Sequence, residues 1–328
     1  MYNFKQLFLF IMATNNADLH TAKSNAADEF YTSYKDIELE MSKYKEFFKG
    51  KKVLCPCDSY NSNFYKYFRD NYHELGLAGL CAVWYPSNYD IVYDGKTEYK
   101  HEHPGNGDFK FNYTKDLMNM WCNVIVTNPP FSLFRDFIKQ VINCKQNFII
   151  LGNINAVTYK EVFPHIIEKE MRLGATIHSG DREFLVPDEY PLEGTACRMG
   201  EDGKKYIRVK GVRWFTNLKP NRDETKRNKL TETYSPDKYK KFDTYDAINV
   251  NSMKEIPYDY DGVMGCPITV IDKMGAYDCV EFEDPDGNIL QYEIIGMLNS
   301  GGHPDYCDFA KPIIDGKCKF KRLLLKKI

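Results

Sequence analysis

Short apolar runs alternate with amphipathic stretches through the first half of this 328-residue chain. Residues 28–48 set Ile37, Met41 and Tyr44 at helical spacing, which predicts an amphipathic helix with those side chains turned to a core. Residues 52–55 (Lys-Val-Leu-Cys) read as a short buried strand, followed by a turn and a helix carrying Phe64, Tyr67 and Phe68. Residues 80–84, 124–127 and 148–151 read as further buried strands, and residues 89–99 as a hairpin turning at Asp94-Gly95. Residues 133–142 fit a helix with Phe137 and Val141 inward. Apolar strands alternating with amphipathic helices predict an α/β fold built on a doubly wound, mostly parallel sheet. Such sheets bind ligands beyond the carboxyl ends of their strands. Asp58, after the first strand, and Asn128, after a later one, fall there.

Beyond Gly174 the pattern turns β-rich and mixed, with strands predicted at 175–178, 183–186 and 206–215. A polar, basic stretch without periodicity covers 219–241, and further strands are predicted near 267–270 and 292–295. Apolar residues make up 43% of the chain and charged residues 27%, the balance of a soluble globular protein with room for a large α/β domain and a second module.

A net charge of -2 excludes a global basic field, but the charge is unevenly spread. Residues 201–243 hold thirteen Lys/Arg against seven Asp/Glu, residues 244–310 two against thirteen, and residues 311–328 seven against one. Two basic segments around an acidic one fit a phosphate-contacting surface on a structural core; they equally fit solvated faces with no partner.

The ten cysteines form no CxxC pair and the seven histidines show no ligand spacing, so no metal site is expected. Cysteines embedded in apolar runs point to a reducing, cytoplasmic compartment. Residues 7–13 are apolar but far too few to cross a membrane, and few even for a secretory segment. Met12 heads a more ordinary start, so residues 1–11 read as an extension from an upstream start codon; native protein retaining Met1 by mass would refute that.

The sharpest chemical signal is Asn128-Pro129-Pro130-Phe131, directly behind Val124-Ile125-Val126-Thr127. This turn suits gripping an exocyclic or amide NH2 while a methyl group is delivered to it. Such a nitrogen is a weak nucleophile because its lone pair is delocalised. The Asn side-chain oxygen and the first Pro carbonyl can each accept one N–H, localising the lone pair and stabilising developing positive charge. Phe131 offers a face for stacking an extruded base. The plain alternative is a strand-to-helix turn, since Pro suits the first helical position. Cys57, in Pro56-Cys57, superficially resembles a thiol nucleophile, but amino-group methylation needs no covalent intermediate.

The chain resembles the EcoRI-type family of adenine-specific DNA methyltransferases from about Ala22 to its C-terminus. The likeness is carried by Asp28-Glu29-Phe30-Tyr31-Thr32, Val53-Leu54-Cys55-Pro56-Cys57-Asp58, Ser62-Asn63-Phe64, Gly107-Asp108-Phe109 and Thr127-Asn128-Pro129-Pro130-Phe131-Ser132-Leu133-Phe134. Leu151-Gly152-Asn153, Gly211-Val212-Arg213-Trp214-Phe215-Thr216-Asn217-Leu218 and Tyr258-Asp259-Tyr260-Asp261-Gly262-Val263-Met264-Gly265 complete it. Each piece is unspecific alone; their joint order is not.

The resemblance implies a Rossmann-like class I methyltransferase using S-adenosylmethionine, with a catalytic domain over residues 13–219 and a target-recognition region over 220–328. It implies that Phe30, Tyr31 and Thr32 lie against the methionine end of the cofactor, Cys57 and Asp58 in its loop, and Asp108 and Phe109 by its adenine. Asn128, Pro129, Pro130 and Phe131 become the catalytic loop, and Phe131, Trp214 and Phe215 the target-base residues. Duplex DNA is the implied partner, its phosphates met by Lys219, Arg222, Lys226, Arg227 and Lys229. A monomer is expected, in restriction-modification or as an orphan methylase, with any restriction endonuclease sharing the site but not bound.

Residue types leave plain alternatives beside these roles: Asp58 as a helix cap, Asp108 as a turn former, Trp214 and Phe215 as strand core. The Cys55-Pro56-Cys57-Asp58-Ser59 turn departs from the wider superfamily in lacking glycine, a CxCD pattern that the EcoRI-type group shares. No acidic residue stands where the cofactor's ribose would want one, Asp90 being the nearest. The competing functions are an amino-methyltransferase for RNA or protein glutamine, and a silent DNA-binding relic.

Overall fold

The computed structural model describes residues 30–178, 180–188, 190, 196–221, 227–275, 278–299 and 310–328. The apolar run 7–13 and Met12 lie outside them, as do Arg222 and Lys226.

The chain enters through helix α1 (Tyr34–Met41), where Ser33 Oγ accepts from Asp36 N at 3.1 Å as a cap. A tight turn over Ser42–Tyr44 breaks the predicted long helix before the short α2 (Lys45–Phe48), yet Ile37, Met41 and Tyr44 are all buried as the spacing required. Strands β1 (Lys52–Cys55) and β2 (Gly79–Ala82) flank helix α3 (Asn63–Asp70). The hairpin β3 (Tyr89–Tyr93) and β4 (Glu98–Glu102) turns through Gly95 at φ +97. The short α4 (Asn112–Asp116), β5 (Val124–Thr127), α5 (Phe134–Cys144), β6 (Asn147–Asn153) and α6 (Phe163–Ile167) follow. Then come β7 (Arg172–Leu173), β8 (Asp181–Leu185), β9 (Cys197–Met199), β10 (Lys205–Lys210) and β11 (Val212–Thr216).

The main sheet runs β4-β3-β2-β1-β5-β6-β11-β7. The strands β2, β1, β5 and β6 are parallel to one another, while β3 and β11 run antiparallel to their neighbours. The sheet is therefore mixed, not mostly parallel: the β3–β4 hairpin at one flank and β11 with β7 at the other run antiparallel to their neighbours. Gly211 at φ +72 splits the single strand predicted over 206–215 into β10, which joins a small sheet with β8 and β9, and β11 of the main sheet.

Alternation sends Val53, Val124, Val126 and Trp214 to one face, under α1 and α3, and Leu54, Ile125, Ile150 and Phe215 to the other, under α5. Both faces are covered, as a doubly wound sheet requires. The strand expected at 175–178 does not form. The buried Glu40 carboxylate captures that backbone instead, accepting from Ala175 N at 2.8 Å and Thr176 N at 2.9 Å.

After β12 (Asn228–Lys229) and β13 (Ile248–Asn249), the chain adds β14 (Met264–Pro267), β15 (Val280–Glu283), β16 (Ile289–Leu298), the small pair β17 (Ile313–Ile314) and β18 (Lys317–Cys318), and β19 (Arg322–Lys327). Six of these make a second mixed sheet in the order β12-β15-β16-β19-β14-β13. The apolar run predicted as a strand at 267–270 instead enters a tight helical turn, Ile268–Lys273. It buries Ile268, Ile271 and Asp272 at near-helical spacing, a pattern that so short a run cannot distinguish from a strand.

The hydrophobic core does not divide at residue 219. One cluster runs from Leu54 and Ile125 through Phe163 to Val270, Tyr292 and Leu325. Across it the buried Arg213 holds Asp272 through Nε at 2.6 Å and Nη2 at 2.7 Å, and Arg172 holds Asp278 at 2.7 Å. No helix among the described residues is long and apolar enough to cross a membrane.

Candidate active site

The carboxyl ends of β1 and β5 lie side by side, and their loops meet through Asp58. This buried carboxylate accepts from the Thr127 hydroxyl in a very short bond and lies 3.4 Å from Asn128 N. Asp58 therefore ties the loop after β1 to the Asn128 loop after β5. It is not the helix cap, because Ser62 takes that position on α3, accepting from Tyr65 N at 3.1 Å. Burial pushes the Cys57 thiol well above its usual value, and the Asp58 and Asp108 carboxylates push the same way. A thiol so disfavoured as thiolate is unfit as a nucleophile.

The Asn128 side chain is fixed by donation from Nδ2 to the Phe30 carbonyl at 2.7 Å. With the amide so oriented, Oδ1 is buried and without a partner. The Pro130 carbonyl accepts from Leu133 N at 3.0 Å, while no described residue donates to that of Pro129. Two acceptors on one turn are thus left open at a strand end, where a buried polar group ordinarily finds a partner.

Around them stands an aromatic wall. Phe131 meets Phe30 edge to face at 5.5 Å and Phe184 at 6.3 Å, and Phe30 meets Phe184 at 5.8 Å. Tyr31 N donates to Leu185 O at 2.9 Å, pinning this segment against β8. The neighbouring Thr32 is buried and its Oγ1 has no partner. Residues 30–32, 57–58 and 128–131, distant in sequence, are thus brought to one place.

Asp108 lies close enough to Cys57 to act on its thiol, and its Oδ1 also accepts from Lys110 N at 2.9 Å as a turn former does. Gly107, at φ +74, packs its Cα onto the Trp84 carbonyl; an added Cβ would lie 1.9 Å from that oxygen, so only glycine fits. Between Trp84 and Asn106 opens a cleft of about 320 Å³, which Pro86, Ser87, Asn88, Tyr89 and Gly105 complete. The Phe109 ring is buried against Phe137 at 5.1 Å and does not reach it. Asp90 is 1% exposed; its Oδ2 accepts from the Tyr113 hydroxyl, while its buried Oδ1 has no hydrogen-bond partner.

Trp214 and Phe215 are not brought to the wall. They are 1% and 0% exposed, on opposite faces of the sheet, packed on Phe64 and Phe134 respectively. Adjacent strand residues cannot face one pocket together, and here each is filled in by core. Lys219 lies past Thr216, beyond the amino ends of the parallel strands and opposite the Asn128 loop, where it pairs with Asp278 at 3.4 Å. Arg227 is largely buried on Glu281 at 2.8 Å, and only Lys229 of the described basic candidates is exposed and without an ion pair. Several cations of the two basic segments pair with carboxylates of the acidic one, as in Arg213–Asp272, Lys241–Asp246 and Lys327–Asp261.

Three residues of the pocket region escaped sequence reasoning: Phe184, Trp84 and Arg182. Nothing local marks them except the alternation of β8, which turns Arg182 and Phe184 inward and Asp181 and Glu183 outward. Elsewhere, His165, Glu168 and Glu170 gather donor atoms within 4.8 Å, but two are exposed carboxylates and His165 is already paired with Glu170 at 2.8 Å.

The cofactor expected from the resemblance fits these residues in kind, since they offer a buried, unpartnered Thr32 hydroxyl and an open cleft lined by Trp84 and Tyr89. Comparisons with known proteins agree. A model of the family described as adenine-specific methyltransferase EcoRI matches residues 18–328. The type II methyltransferase M.EcoRI of Escherichia coli is 38% identical, over 96% of this chain and 97% of its own length. M.MpnI of Mycoplasma pneumoniae is 34% identical over 93% and 96%, and M.MgeORF184P of Mycoplasma genitalium 31% over 93% and 97%. No solved structure matches. With this cover of sequence and this gathering of motifs, the chain belongs to the EcoRI family of adenine-specific methyltransferases.

Proposed function

We propose that the protein is a site-specific DNA adenine-N6 methyltransferase, and that Asn128, Pro129, Pro130 and Phe131 are its catalytic loop. The observation that carries the mechanism is the Asn128 amide, locked by Phe30 so that a buried Oδ1 awaits a donor. An adenine turned out of the duplex, at a cost of about a few kcal/mol, would present two N–H bonds. Asn128 Oδ1 and the Pro129 carbonyl would accept them, localising the N6 lone pair and stabilising the charge that develops on it. Phe131 supplies an aromatic edge or face beside the base. N6 sheds its proton to solvent afterwards, so no strong base is needed.

S-adenosylmethionine would supply the methyl group. Its methionine end would meet residues 30–32, with the Thr32 hydroxyl free to bond it, while Asp58 keeps the first loop in place. The cleft between Trp84 and Asn106 would take the flat heterocycle, with Asp108 at its rim. Residues 13–219 would then form the catalytic part, in a Rossmann-like arrangement, and 220–328 the target-recognition part. A hydrophobic core shared by both regions supports reading the second as packed directly on the first. We read the enzyme as a cytoplasmic monomer that, where a restriction endonuclease shares its site, acts without binding it.

The test is nucleoside mass spectrometry on unmethylated duplex DNA incubated with protein and S-adenosylmethionine, beside an Asn128→Ala control. N6-methyladenine from the wild type alone is expected. No methylated base despite cofactor binding would point to RNA or protein glutamine, and no cofactor binding to a silent relic.

A further inference from the structure

We infer that Arg182 is an oxyanion-binding residue of the catalytic pocket, taking a phosphate of the extruded nucleotide or the carboxylate of the cofactor. The inference rests on the methyltransferase reading above and adds a residue to it.

Five observations converge on this residue. On β8, burial alternates so that Arg182 and Phe184 share the inward face. Phe184 is part of the wall with Phe30 and Phe131, and residues two apart on a strand are separated by about 7 Å. Arg182 therefore leaves the strand one step from the catalytic aromatics. Directly across the ladder from it stands Val209, 5% exposed, and across from Phe184 stands Ile207, 2% exposed, so its surroundings on that face are apolar.

The adjacent acid offers no relief. Glu183 points to the other face, where Arg198 takes it at 2.7 Å with Arg208 at 3.9 Å. Finally, Arg182 Nε is buried without a hydrogen-bond partner, and no described carboxylate pairs with the guanidinium.

Arginine cannot shed its proton to escape this position. Its Nε, buried beside apolar neighbours, lacks the acceptor that a buried donor ordinarily finds, and a bound oxyanion would supply one. Its planar fork fits a phosphate or a carboxylate, the two oxyanions that the proposed reaction brings to this pocket. Arg182 shares that openness with Asn128 Oδ1 and Thr32 Oγ1, so donors and acceptors alike are held ready around one aromatic cluster.

The experiment uses the full-length protein with Arg182→Gln and Arg182→Lys. Three quantities are read: the Kd for S-adenosylmethionine by calorimetry, the KM for duplex DNA, and the Tm without ligand. Arg182→Gln is expected to weaken one of the two affinities by roughly 10- to 100-fold, the loss of a charged hydrogen bond. Arg182→Lys should recover part of it. A raised KM for DNA with the cofactor Kd unchanged identifies the phosphate; the reverse identifies the carboxylate.

The ligand-free Tm should hold or rise in Arg182→Gln, because the change removes an uncompensated charge. A structural arginine would lower it. Both affinities unchanged, or a fall in Tm accompanied by loss of both, overturns the inference. Wild-type protein that binds cofactor but methylates no DNA would instead fell the methyltransferase-on-DNA reading, leaving the cofactor arm readable.

Discussion

Two arginines, Arg213 on β11 of the main sheet and the half-buried Arg182 on β8 of the small one, show how differently one residue type is used in this molecule. Arg213 on β11 is 3% exposed and fully served: Asp272 grips it twice, and the Val212 and His178 carbonyls accept at 2.7 and 2.9 Å. Arg182 on β8 has a buried Nε and no partner at all among the described residues. The first closes a seam between the main sheet and the C-terminal sheet. The second stands by the Asn128 loop, where Oδ1 is equally open. Polar groups that satisfy each other fix a fold; polar groups left open beside a strand end mark where something else must bind.

The largest effect expected from breaking this contrast is at the seam. Asp272→Ala strands Arg213 as an uncompensated buried charge and should remove about 3–5 kcal/mol of stability, measured by denaturant unfolding. A loss below about 1 kcal/mol would mean that the seam behaves like a surface pair.

At the open site the sign reverses. Asn128→Ala should lower kcat by roughly 10²- to 10³-fold while unfolding stability and cofactor affinity stay near wild type; turnover left intact would end the proposed mechanism. Thr127→Val takes the hydroxyl from buried Asp58 and should loosen the loop by about 1–3 kcal/mol. That loss should appear as a lower kcat with the KM for DNA unchanged, and equal kcat in mutant and wild type would show that Asp58 does not depend on this bond.

The smallest effect belongs to Lys219→Ala, at the far end of the sheet. Stability should change by no more than about 0.5 kcal/mol and the KM for DNA should not move. A KM raised several-fold would place the duplex on the amino edge and reverse the orientation argued here.

Much of the central sheet was legible in the sequence because its signals are local. The run of residues 52–55 became β1, 124–127 became β5, and the Asp94-Gly95 turn gave the β3–β4 hairpin. Asn128-Pro129-Pro130-Phe131 stood out for the same reason: its residue types, adjacent in the chain, carry the chemistry together. Sequence failed where a distant partner decides. Residues 175–178 have strand-like composition, but the Glu40 carboxylate holds their backbone. Trp214 and Phe215 look like base-stacking aromatics until packing buries both. Lys219 and Arg227 read as phosphate contacts in the sequence, which gives no sign that the fold sets Asp278 and Glu281 beside them.

The sequence by itself therefore determined much of the strand and helix pattern, singled out the tetrapeptide Asn128-Pro129-Pro130-Phe131 as a candidate and, through the joint order of its motifs, identified the family. Those depend on the spacing of side chains along one backbone. Only the tertiary structure decided which polar groups remain open. Whether Arg182 or Arg213 finds a carboxylate depends on residues 59 or more positions away or on none, and chain spacing carries no record of which buried charges meet.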